Sequence, residues 1–217
     1  MKSELTIIKI GGKIISDSEL LEKYLKKINQ TNGNVIIIHG GGNIANDYFK
    51  KNNIPVKMIN GRRITDKIAI EKLVMLYSGK INKNIISKLN NGEKKYIGLS
   101  GVDSKVILSK KREVKEVDYG YVGDITSING TFLKLLIDNN IYPVICPITA
   151  DKNGLLLNTN ADTIATKVAI EMSKYYDLRL FYCFDKSGVL ENNTVIKRIN
   201  YHDYLNLLKN KTIKDGM

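Results

Sequence analysis

The sequence predicts an α/β fold with a mostly parallel sheet, and three observations carry that prediction. Apolar runs of strand length alternate with segments of helical periodicity. Two of the runs, Leu5 to Ile10 and Asn34 to Ile38, lead directly into glycine clusters, Gly11-Gly12-Lys13 and Gly40-Gly41-Gly42. A strand, a helix and a second strand in this order normally form a right-handed parallel unit. A glycine turn between strand and helix brings backbone N–H groups close to a bound anion, and the helix N-terminus adds partial positive charge. Two such turns at the start of one chain suggest two anionic ligands held side by side.

The elements follow in order. After the first glycine turn, Ser16-Asp17-Ser18-Glu19 fits a capping box with Ser16 as N-cap. Leu20, Leu21, Tyr24, Leu25 and Ile28 then recur at helical spacing. Asn34 to Ile38 is the second strand, and a helix runs from about 44 to 51 before Pro55. Residues 66 to about 89 read as one long helix, closed by Asn90-Asn91-Gly92, with the third strand at Tyr96 to Leu99. The alternating, charged stretch 106–125 reads as a β-hairpin excursion. A helix over 130–139 and a buried strand over 142–148 come next. Asp151 to Gly154 makes a hairpin turn into a short strand at 155–157, followed by a helix from Ala161 to about Met172. Leu178 to Phe184 is the last strong strand; a weak strand near Val195 and a helix over 202–208 complete the pattern.

Composition narrows the class. The 217 residues are 43% hydrophobic, enough for one large domain or two lobes on one sheet. No apolar run approaches the roughly 20 residues of a membrane helix, and Met1-Lys2-Ser3-Glu4 leads straight into a strand with no signal-peptide region. Cys146 and Cys183 sit in apolar runs and read as reduced core thiols of a cytoplasmic protein. The net charge of +12 is scattered over the chain; nucleic-acid binding is the alternative it raises, and no recognised motif supports it.

Gly40-x-Gly42-x-x-Ala45 formally matches a dinucleotide fingerprint, but Arg62-Arg63 stand where an acidic residue would be expected. An NADP site could explain arginines there, so that reading stays open on this motif alone. A Walker A loop is absent. The ordered set of motifs is more specific: Lys9-Ile10-Gly11-Gly12-Lys13, His39-Gly40-Gly41-Gly42, Asn60-Gly61-Arg62-Arg63-Ile64-Thr65, Leu157-Asn158-Thr159-Asn160-Ala161-Asp162 and Asp185-Lys186-Ser187-Gly188-Val189-Leu190. Together they resemble the acetylglutamate kinases of the amino acid kinase family, over the whole chain. The stretch Glu116 to Asp124 looks most like the Bacteroidetes branch, in some of which the acyl group is succinyl.

The resemblance implies a three-layer sandwich and phosphoryl transfer from ATP, with Mg²⁺ held mainly by the phosphates, to the side-chain carboxylate of an N-acylated glutamate. That nucleophile is already ionised, so no general base is needed, which fits a chain with no catalytic His or Cys constellation. Alignment of two anions and neutralisation of charge are the requirements. By resemblance, Lys9 stabilises the transferring group and Asp162 orients the lysines. Gly41, Gly42, Arg63 and Asn158 bind the acyl-glutamate, Arg63 in bidentate fashion. Gly11 and Gly12 admit the ATP phosphates, and Asp185, Lys186, Ser187, Gly188, Val189 and Leu190 cup the adenine and ribose. No protein metal ligand is expected. Capping or dipole compensation is the structural alternative for Asp162; Lys13 and Arg62 read as surface charges. His39 is expected to brace the glycine turn, and Tyr119 and Tyr121 to lie either on a flap or on an ordinary hairpin.

The domain reading is a single unit over 1–217, with an acyl-glutamate lobe to about 175 and an incomplete ATP lobe over about 176–217. The resemblance places a second catalytic lysine, with a further helix and strand or two, beyond Asp215-Gly216-Met217. It also implies a homodimer formed through the long helix from Asp66. Alternatives are a non-catalytic remnant that binds acyl-glutamate and a related kinase with another acceptor.

Overall fold

A computed structural model of the chain describes residues 2–59, 61–186, 188–191 and 194–210. In chain order the elements are β1 (Glu4–Ile10), α1 (Gly12–Ser16), α2 (Ser18–Gln30), β2 (Asn34–His39), α3 (Gly42–Lys51), β3 (Met58–Ile59), β4 (Arg62–Arg63) and α4 (Lys67–Val74). A π-helical stretch, Met75–Ile81, joins α4 to α5 (Asn82–Leu89). Then come β5 (Lys95–Leu99), β6 (Ile107–Lys111), β7 (Gly123–Ile128), α6 (Gly130–Asp138), β8 (Ile141–Ile145), β9 (Ile148–Ala150) and β10 (Leu156–Asn158). The last are α7 (Ala161–Met172), β11 (Asp177–Cys183), β12 (Leu190–Glu191), β13 (Thr194–Val195) and α8 (Tyr201–Lys209).

Five strands form one parallel sheet in the order β11-β1-β2-β8-β5. The inner strands β1, β2 and β8 carry near-continuous apolar runs because both faces are covered there, while the edge strands β11 and β5 are partly exposed. Side chains alternate across the pleat. Ile8, Ile10, Val35 and Ile37 enter a core with Leu21 and Leu25 of α2, Phe49 of α3 and Leu73 and Ile85 of the long helix. Leu5, Ile7, Ile36 and Ile38 face the opposite core, with Leu133 of α6 and Ile164, Val168 and Met172 of α7. The result is helices, sheet, helices: the expected three layers. A second sheet, β10-β9-β6-β7, lies beside it and contains the expected hairpin excursion.

Three expectations are corrected. Asp17, not Ser16, caps α2: its side chain accepts from the Leu20 amide, while the Ser16 hydroxyl bonds back to Lys13 O within α1. The run 142–148 is not one strand. Pro147 follows Cys146 at a break, and β9 pairs in the second sheet instead. The helix from Asp66 has the expected length but not uniform α winding, since a π segment adds an i→i+5 stretch in its middle. The weak strand near Val195 pairs with β12 as a small hairpin. No helix among the described residues is long and apolar enough to cross a membrane.

Candidate active site

All five strands of the parallel sheet end at one edge, so the turns that follow β1 and β2 come together. Gly40 N–H donates to Ile10 O at 2.9 Å, and Gly11 N–H donates to Cys183 O at 2.8 Å. These bonds tie the first turn between its two neighbours. A Cβ at Gly12 would lie 3.3 Å from the Gly42 amide nitrogen and 3.4 Å from that of Asn43. Only a bare backbone allows the starts of α1 and α3 to approach so closely. The first amides of a helix have no partner within it, so those of Gly12, Gly42 and Asn43 converge on one spot with the positive ends of two helices.

A cleft of about 260 Å³ opens there. It brings together Lys9, Gly12, Gly41, Gly42, Arg63, Asn158 and Asp162, all named from the sequence. It does not include Gly11, whose amide is engaged with β11. Asp185, Lys186, Gly188, Val189 and Leu190 lie outside it, beyond the end of β11. Ser187 is not among the described residues, nor are Asn60 and residues 211–217. Asp185 pairs with Lys13 at 2.6 Å, and that hydrogen bond holds its carboxyl below the usual range. Lys13 is therefore a partner of Asp185 rather than a lone surface charge.

The pleat explains Lys9. Ile8 and Ile10 face the α2–α3 side, so Lys9 points to the α7 side and meets the first turn of that helix. Its Nζ lies 2.7 Å from Asp162 Oδ1. Asp162 does not cap α7; Asn160 does, accepting from the Thr163 amide.

Arg63, on β4, is only 8% exposed. One guanidinium nitrogen, Nη2, donates to Asn46 Oδ1, and the group stacks 4.9 Å from the Phe49 ring centre. Nη1 is buried with no partner among the described residues. Burial lowers the pKa of this guanidinium from its ordinary value. A buried, unpaired donor of this kind is costly unless an anion meets it. Asn158 stands across the cleft, held by an Nδ2 donation to Thr65 Oγ1 at 3.1 Å.

Thr65 also fixes the stretch that carries Tyr119 and Tyr121. Thr65 N–H donates to Tyr119 O at 3.0 Å, Tyr121 N–H to Thr65 O at 2.7 Å, and Asn158 N–H to Tyr121 O at 2.9 Å. Both tyrosines are thus stitched to the strands flanking the cleft.

His39 braces the second turn as expected. It is fully buried; its Nδ1 lies 2.8 Å from Gly40 O and its Nε2 3.1 Å from Asn82 Nδ2, which also donates to Val144 O. Asn82 can only donate through Nδ2, so Nε2 accepts and the proton sits on Nδ1. Burial pulls the His39 pKa down to about 4 and keeps the ring neutral.

The sequence reading missed Tyr77, Arg112 and Asn43, which line the cleft, and gave Arg62, also in its wall, a bland surface role. Arg112 grips Asp124 through Nε and Nη2 and lies 5.4 Å from the Tyr119 ring centre. Its signal in sequence was no stronger than that of any other charge on a hairpin.

The sequence profile of the amino acid kinase family matches residues 4–217. The chain belongs to the amino acid kinase family. Within that family it is 42% identical to the acetylglutamate kinase of Bacteroides fragilis over 221 aligned positions, spanning 100% of this chain and 85% of that protein. It is 41% identical to the acetylglutamate kinase of Cytophaga hutchinsonii, over 99% and 83% of the two chains. Among solved structures, smu.665 from Streptococcus mutans superposes with a TM-score of 0.85 at 29% identity, over 98% of this chain and 85% of that one. An N-acetylglutamate synthase from Neisseria gonorrhoeae, at a TM-score of 0.76 and 16% identity, shares the amino acid kinase fold.

Proposed function

We propose that this chain transfers the γ-phosphoryl group of ATP to the side-chain carboxylate of an N-acylated glutamate, N-acetyl- or N-succinyl-L-glutamate. The product is an acyl phosphate, and the reaction is the second step of arginine synthesis. The observation that carries the reading is the cleft itself, in which the Lys9–Asp162 pair and the unpaired Nη1 of Arg63 flank two facing glycine turns. The names of the relatives in Bacteroides and Cytophaga support the same choice of acceptor.

The donor set fits two anions. The Gly12 amide, with Lys9, suits the phosphates; Gly41, Gly42, Arg63 and Asn158 suit the carboxylate and amide groups of the acceptor. In the reaction a carboxylate oxygen forms a bond to the γ-phosphorus while the bond to the ADP oxygen breaks, and ADP leaves with that electron pair. Lys9 neutralises charge on the transferring group, and Asp162 holds the ammonium in place. Mg²⁺ carried on the phosphates would supply further neutralisation there. The segment Asp185 to Leu190, beyond the end of β11, is suited to the adenine–ribose side, as ligands of open α/β sheets prefer. A cytoplasmic homodimer formed through the long helix from Asp66 completes the proposal.

An ATP-dependent hydroxamate assay with N-acetylglutamate, N-succinylglutamate and aspartate tests it. Product with an acylated glutamate and none with aspartate supports the reading. Turnover of aspartate alone, or binding of acyl-glutamate without turnover, would contradict it.

A further inference from the structure

The π-helical stretch Met75–Ile81 places one side chain where neither helical neighbour contributes. Tyr77 is 5% exposed, and the small part that is open belongs to the cleft wall. One edge of its ring packs against the second glycine turn: a Cβ at Gly41 would be 2.7 Å from Tyr77 Cε1 and 2.9 Å from Cδ1. The neighbouring Ser78 turns away, 3.1 Å from Cys146 Sγ in the core. Among the described residues the Tyr77 hydroxyl has no hydrogen-bond partner, although the phenol is close enough to couple electrostatically to Arg63. A buried tyrosine hydroxyl normally finds a partner. Arg63 Nη1 is buried without a partner among the described residues, and Tyr77 and Arg63 line the same cleft.

We infer that Tyr77 is a substrate-binding residue whose hydroxyl donates to the carboxylate held by Arg63, while its ring sets the position of the Gly41 turn. The inference rests on the acyl-glutamate reading and adds a specific donor to it. Burial pushes the Tyr77 pKa up to about 12, so the phenol remains a donor throughout the working pH range. The π winding has a purpose on this account. It delivers the phenol to the cleft while Leu76 and Ile81 on either side stay in the core.

The test is Tyr77→Phe, which removes the hydroxyl and keeps the ring against Gly41. N-acetyl-L-glutamate and N-succinyl-L-glutamate are titrated calorimetrically into wild type and variant, and steady-state constants are measured alongside. The expected result is a roughly tenfold weaker Kd and a matching rise in KM for the acyl-glutamate. The KM for ATP and the melting temperature should stay unchanged; a purely structural role of the ring, which Phe preserves, would leave the Kd for acyl-glutamate unchanged as well. Equal affinity of variant and wild type would overturn the role of Tyr77 and leave the acyl-glutamate reading intact. Failure of the wild type to bind either compound would overturn both.

Discussion

Lys9 Nζ and Asp162 Oδ1, 2.7 Å apart, join the end of the first strand to the first turn of α7. The lysine is 14% exposed at its side chain and the aspartate 45%, so the pair sits with its ammonium in the cleft and its carboxylate towards solvent. In the proposed reaction the lysine meets the ligand and the aspartate aims it.

Lys9→Ala should therefore lower kcat by a factor of about 10²–10³, the cost of one lost charge-stabilising donor. Asp162→Asn keeps the shape and loses the charge, and should cost about tenfold. Both changes should lower the melting temperature modestly, because the lysine end of the pair is largely buried while the aspartate end is partly solvated. Steady-state kinetics with thermal melts checks all three statements.

Gly41→Ala should destabilise the fold by about 1–3 kcal/mol through overpacking. The new methyl would press on Tyr77 and on Ile81 Cδ1, also at 2.7 Å, and both residues are anchored in the core. Urea unfolding measures the loss. In a double-mutant cycle the cost of Gly41→Ala should be smaller in a Tyr77→Ala background than in the wild type, since the clash with that ring is then absent.

Much of this was legible in the sequence, and the misses share a cause. Strong periodicity placed α7 at Ala161–Met172, and the apolar runs placed β1 and β2 to within a residue. The cap of α2 slipped by one because Ser16 and Asp17 are both good caps, and only the presence of α1 decides between them. In a segment read as one ordinary helix over 66 to about 89, Tyr77 falls on the apolar side with Leu73, Leu76 and Ile81. A π segment rotates the residues after it relative to a 3.6-residue repeat, and no composition signal announces that. Motif order picked out the residues that gather in the cleft, whereas Arg62, on β4, and Arg112, just after β6, belong to strand pairings the sequence does not state.

Acid should weaken the fold through His39. Below about pH 6.5 the unfolded chain binds a proton at this ring, which the folded chain excludes down to about pH 4. Stability from this group is thus complete above 6.5 and is lost as pH falls towards 4, on the order of 3 kcal/mol in all. Urea midpoints from pH 7 to pH 4 should fall more steeply for the wild type than for His39→Gln, whose side chain cannot take up the proton.

Arg63→Lys keeps a positive charge but loses the fork, the Asn46 bond and the stacking on Phe49. The KM for acyl-glutamate should rise by roughly 10- to 100-fold, with a much smaller effect on the KM for ATP. A change confined to ATP would show that Arg63 serves the other ligand.

The most direct test of the central claim is a crystal structure with a non-hydrolysable ATP analogue and N-acetyl-L-glutamate bound together. The account predicts the terminal phosphate between Lys9 and the Gly12 amide, and an acceptor carboxylate on Arg63 Nη1. Ligands bound in separate places, or Arg63 turned away from the acceptor, would contradict it.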